Sequence, residues 1–233
     1  MLLRPRAATL TLLGGTVLFA CSDLLRRLVI PDSSAGPVTV VRLVHDHLGT
    51  WTVAAALALL SALVLLAGLA AVAALAPGRG RPLATIGQAV FGVGVIASVA
   101  HAVGEFGVPA TQARSGVGSA AVNAMDKAGF WPWDVAVLLF IAGFLLGPVL
   151  LLAGLRRARV VPVWSPVAAI VAGVCGGTSG VVAGWIGLAA WVVAFVPVAL
   201  AGLRHDGGHE SRTGATRSAD PALAAHEFRT GAI

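Results

Sequence analysis

His101 and Glu105 are the residues of this chain best suited to chemistry. They stand four apart, so on a helix they share one face. An imidazole beside a carboxylate can hold a metal such as zinc or copper, or pass a proton. His45, Asp46 and His47 form a second polar cluster, and Asp126 and Asp134 add carboxylates. His101, Glu105, His45 and His47 are the candidate metal ligands. Their spacing matches no known metal motif, and no HExxH occurs. The plainer reading is a polar fringe touching water and lipid headgroups. No catalytic residues are assigned, because the chain has no phosphate-binding loop, no dinucleotide fingerprint and no Ser–His–Asp order. A haem between two buried histidines would need a second one inside an apolar run, and only His101 lies in one. The cofactor stays unknown. His205 and His209 are a weaker pair, since the glycines between them resist a fixed geometry.

The elements that must position these residues are membrane spans. Of 233 residues, 58% are hydrophobic and only 11% charged. A soluble domain carries about 25% charged residues, and one this apolar would expose a large greasy surface to water. A helix needs about 20 apolar residues to cross roughly 30 Å of hydrocarbon. Runs at 7–30, 51–76, 83–104 and 135–155 meet or approach that length. The last run, 160–203, has 44 residues without a charge. As one helix it would reach about 66 Å at 1.5 Å per residue. The segment Gly176-Gly177-Thr178-Ser179-Gly180 is poor helix material, so the run divides into spans at 160–176 and 181–203. The expected fold is an all-α polytopic transmembrane bundle of about six spans over residues 1–203. The polar stretch 204–233 reads as a disordered cytoplasmic tail.

Arginine placement sets the expected orientation. With the N-terminus inside, the inner segments hold Arg4, Arg6, Arg79, Arg81, Arg156, Arg157, Arg159 and four arginines of the tail. The outer segments hold Arg26, Arg27, Arg42, Arg114 and Lys127. Both termini are then cytoplasmic, and Arg26 and Arg27 would snorkel to the headgroups. The outer connections are the longer ones. Within them 37–48 reads as a short amphipathic segment and 110–122 as a loose loop. A rival reading of the first run is a cleaved signal sequence, which would leave five spans. Arg in place of Lys, with abundant Ala, Gly and Val, points to a high-GC bacterial genome and hence a multi-pass protein of the bacterial cell (inner) membrane.

The net charge of +6 does not imply nucleic acid, since the basic residues are scattered between apolar runs rather than gathered with aromatics. The expected partner is the lipid bilayer. Gly143 and Gly147 make a GxxxG step that suits close helix contact, within the chain or in a homo-oligomer or membrane partner. Gln88 should hydrogen-bond a neighbouring helix. Cys21 and Cys175 are too few for a disulfide framework. The spans hold almost no ionisable groups, which disfavours an acidic proton relay. Three functions remain: a non-catalytic membrane component or subunit, a small carrier for a neutral or amphipathic solute, and a membrane enzyme or metal-binding protein using the His/Glu/Asp cluster. The first is the leading expectation.

Overall fold

The computed structural model describes residues 5–32 and 34–218, with side chains over 6–32 and 34–204. It is an all-α bundle. Its long helices are α1 (Pro5–Val29), α3 (Leu48–Val72), α4 (Arg81–Ala102), α7 (Trp131–Arg157) and α9 (Val181–Ser218), and its shorter ones are α2 (Pro37–Asp46), α5 (Val108–Ser115), α6 (Ser119–Ala128) and α8 (Trp164–Gly176). Five helical stretches are long and apolar enough to cross a membrane. The sixth, α8, has 13 residues, a rise of about 20 Å. The chain therefore has five helices of spanning length and one shorter apolar helix. Proline accounts for part of the shortfall, because Pro162 and Pro166 each lack a backbone donor and confine the helix start to Trp164.

Contacts between helices fix their directions. Gly68 of α3 packs on the backbone of Leu12, and Gly15 on Leu65, so α1 and α3 run antiparallel. Gly87 packs on Leu151 and Gly94 on Gly143, so α4 and α7 do the same. Gly184 lies against Arg27 and Gly202 against Thr9, so α9 opposes α1. The short link at 76–80 turns α3 back into α4. It follows that α7 and α9 run parallel, and α8 must carry the chain back between them. Thr9 and Gly202 meet at the same end of the bundle.

At that end Arg6, Arg79, Arg81, Arg156, Arg157, Arg159 and Arg204 are all on the surface. The opposite end is built differently. Arg27 is 2% exposed and does not snorkel. Its Nε donates to Asp23 at 2.6 Å, and its two terminal nitrogens donate to the carbonyl oxygens of Cys175, Gly176, Thr178 and Gly180. These carbonyls belong to the last turn of α8 and the glycine-rich link, where the regular helical ladder stops and acceptors are left over for a side chain. The planar guanidinium fork reaches several acceptors at once.

The glycines of α7 are used within the chain. Gly143 faces Gly94, Gly147 faces Phe91 and Gly154 faces Ala84, each so close that a Cβ would collide with backbone. The Gly143–Gly147 face is therefore occupied by α4. Phe19, Phe91, Phe144, Trp191 and Phe195 form the aromatic centre of the core. Trp191, which falls away from either end of its run, is buried there at 5% exposure. Gln88 accepts a hydrogen bond from the backbone N–H of Ala73 at 3.2 Å.

Two expectations are corrected. The segment 110–122 is not loose: it contributes to α5 and α6, which pack with α2 at the far end. Alternating small and apolar side chains there bury Ala113 and Val122 and so fold the segment down. The helix of α9 also continues beyond 203 to Ser218, because extending an existing helix needs no new nucleus and no proline intervenes before Pro221. The rest of the expected tail, 219–233, lies outside the described residues.

Candidate functional site

The far end of the bundle holds a cavity of about 530 Å³ between α1, α4, α7, α8 and α9, with Ala58 of α3 also in its lining. Its floor is apolar and aromatic, with Phe19, Phe140, Phe144 and Trp191. Phe144 lies at the middle of α7, so the cavity reaches half-way through the bundle. Its upper wall carries Asp23, Arg26, His101 and Glu105.

The charged members of this wall, Asp23, Arg26 and Glu105, are already paired among themselves, and His101 stands outside the pairs. Asp23 accepts from Arg26 at 2.9 Å and from Arg27 at 2.6 Å. Arg26 also lies 3.6 Å from Glu105. The chain of contacts Arg27–Asp23–Arg26–Glu105 contains two positive and two negative side chains. Asp23, Arg26 and Glu105 remain a quarter to a third exposed, so water reaches this end. Helical spacing builds the pairs on α1, because positions three and four apart face the same way.

His101 is held by stacking. Its ring lies 4.5 Å from that of Phe140 and 5.4 Å from that of Trp133, nearly parallel to both. Gly104 leaves the room that Trp133 fills. The Nδ1 atom of His101 is buried without a hydrogen-bond partner. Directly after His101 the helix widens into a π-turn, Val103–Gly107. The carbonyl oxygen of Phe106 in that turn accepts from the Trp51 indole N–H at 2.9 Å, and Trp51 is fully buried. Such π-turns recur at functional sites.

The four candidate metal ligands do not form one group. His101 and Glu105 line the cavity, whereas His45 and His47 are on the surface. The reason is the register of α2. Val44 is its fully buried residue, and packing that side chain leaves His45, Asp46 and His47 in solvent. Among the described residues, no three His, Cys, Asp or Glu side chains gather closely enough to hold a metal ion. Asp126 and Asp134 are also exposed.

Comparison with family models, curated proteins and solved structures finds no match for this chain. The site must therefore be read from its own chemistry. Sequence reasoning found His101 and Glu105 but missed Asp23 and Arg26 as their neighbours. The signal was present in the spacing Asp23–Arg26–Arg27, which on a helix pairs the carboxylate with both arginines. It also missed the aromatic floor, because Phe19, Phe140 and Trp191 come from three different helices.

Proposed function

We propose that this protein is a small carrier that binds an amphipathic solute in the cavity at the far end of its bundle. The observation that carries the reading is the joint character of that cavity. An aromatic floor at mid-bundle lies below a self-compensated polar rim. Ligand sites are typically concave, mostly apolar and furnished with a few convergent polar groups, with volumes of roughly 300–1,000 Å³. A subunit acting only through helix contacts would have no use for such a space. The enzyme reading is weakened because the carboxylates on the same wall as His101, Asp23 and Glu105, are engaged with arginines.

In this reading the bilayer surrounds the five long apolar helices and α8, and the arginine-rich end is cytoplasmic, as in a bacterial inner-membrane protein. The paired charges fix a polar head near the interface, while Phe144 and Trp191 accept the apolar part.

The test is to extract and analyse amphiphiles bound to the protein purified from its membranes, beside a Leu188→Trp variant. Leu188 lines the cavity beside Trp191, and the larger side chain should narrow it where the apolar part of the solute would lie. The expected result is a bound amphiphile in the native protein and its loss from the variant. Equal binding by both, or none by either, would count against the reading.

A further inference from the structure

The geometry points to a lipid as the solute: a single-chain amphiphile with an uncharged polar head, entering sideways from the bilayer between α7 and α8. This rests on the reading above, that the cavity holds an amphiphile.

The first argument is the position of the mouth. Gly173 of α8 makes close contact with Leu145 of α7. Beyond that point α8 has only three residues before it ends at Gly176, whereas α7 continues to Trp131. Fourteen residues of α7 rise about 21 Å, and α8 flanks only the first turn of them. The cavity lining at this gap includes Ile141 and Val174, which are 52% and 56% exposed, and Leu145 at 37%. Large apolar side chains that both line a cavity and face outward from a membrane bundle place its mouth against hydrocarbon. A solute arriving there is already dissolved in lipid.

The second argument is charge. The rim holds Asp23 between Arg26 and Arg27, with Arg26 also beside Glu105. Two positive and two negative side chains leave the rim without net charge, so an anionic or a cationic head would find no net counter-charge there. Either would bring one uncompensated charge into a site only a quarter to a third exposed, and an uncompensated charge is costly there. A hydroxyl-bearing head adds no charge. It can donate to Asp23 or Glu105 and accept from Arg26 while the pairs stay intact. The cavity volume of about 530 Å³ suits one chain and a small head.

The experiment uses the full chain in nanodiscs and three probes sharing one mid-chain brominated acyl or alkyl tail. Their heads are glycerol ester, ionised carboxylate and ammonium. Bromine quenches nearby indole fluorescence, and Trp191 on the cavity floor is the reporter, identified by the signal lost in Trp191→Phe. The glycerol ester should quench Trp191 at a concentration at least tenfold below either charged probe. Equal or tighter quenching by a charged probe overturns the head-group assignment and leaves the carrier reading standing. No Trp191 quenching by any of the three overturns both. The route is tested by Ile141→Trp and Val174→Trp, which narrow the gap without touching the polar rim. Transfer of the glycerol ester from donor vesicles should slow at least tenfold in one or both. Unchanged rates in both variants, with the native rate measurable, overturn lateral entry.

Discussion

The guanidinium of Arg27 donates to the carbonyl oxygen of Cys175 at 3.0 Å, joining two residues 148 positions apart. The contact ties the end of α1 to the end of α8, next to Arg26 and Gly176 of the cavity lining. Arg27→Met keeps the length of the side chain but removes one of the two arginines on Asp23 and the side-chain donors to four carbonyl oxygens. Losing a hydrogen bond to a charged group costs about 1.5–3 kcal/mol. The variant should melt well below the native protein in detergent. Arg27→Lys should recover only part of the loss, because an ammonium cannot present a planar fork. A native-like melting temperature for Arg27→Met would show that the link is held by other means.

Trp51 and Phe106 make the corresponding tie at the π-turn. Trp51→Phe should preserve most of the buried apolar area while leaving the Phe106 carbonyl without its donor. Leaving a buried acceptor unsatisfied costs about 1–3 kcal/mol. Hydrogen exchange at 103–107 should accelerate more than exchange elsewhere in α4, and uniform exchange along the helix would contradict this.

The seam between α4 and α7 tolerates no side chain. Gly143→Leu would drive a Cβ into the backbone of Gly94, and overpacking of this kind costs about 1–3 kcal/mol or more. Gly92→Leu is the control, since nothing lies within 4 Å of a Cβ there. Thermal unfolding in detergent should separate the two variants clearly.

Metal content offers a sharper chemical check. With His45 and His47 outside the cavity, His101 and Glu105 supply two ligands where structural zinc sites use four. Purified protein should carry no stoichiometric zinc or copper by elemental analysis, and His45→Ala with His47→Ala should leave binding of amphiphiles unchanged. A stoichiometric metal lost in His101→Ala would reinstate the metal reading.

Sidedness can be read by cysteine labelling of intact cells, with Cys21 and Cys175 first replaced by Ala. Asp126→Cys, at the far end, should react with a membrane-impermeant maleimide. Arg79→Cys and Arg157→Cys, at the arginine-rich end, should not. Labelling of the latter two from outside would invert the orientation.

The long apolar helices were the legible part of this sequence, although the end of α9 and the short helices α5 and α6 were not. Uncharged runs gave the long helices, and the glycines at 176–180 marked where α8 stops and α9 begins, since both signals are local. The cavity was not legible. It depends on where α7 and α8 approach, at Gly173 and Leu145, and on which residues of six helices then face a common space. Arg27 shows the same limit. Its charge suggested the headgroup region, and only the carbonyls of a distant turn explain why it is buried. Where His45 and His47 lie was not legible either: adjacency in sequence to a polar end said nothing of the direction that packing Val44 would force on them.

The brevity of α8 has a consequence for the surrounding lipid. Neighbouring helices match a leaflet pair of ordinary thickness, but a rod of about 20 Å does not span roughly 30 Å of oil. On that flank the two monolayers must pinch together or the headgroups sink inward. The protein would then wear a dimple on one side only, where acyl tails are shortened and disordered, next to the gap that α8 leaves beside α7.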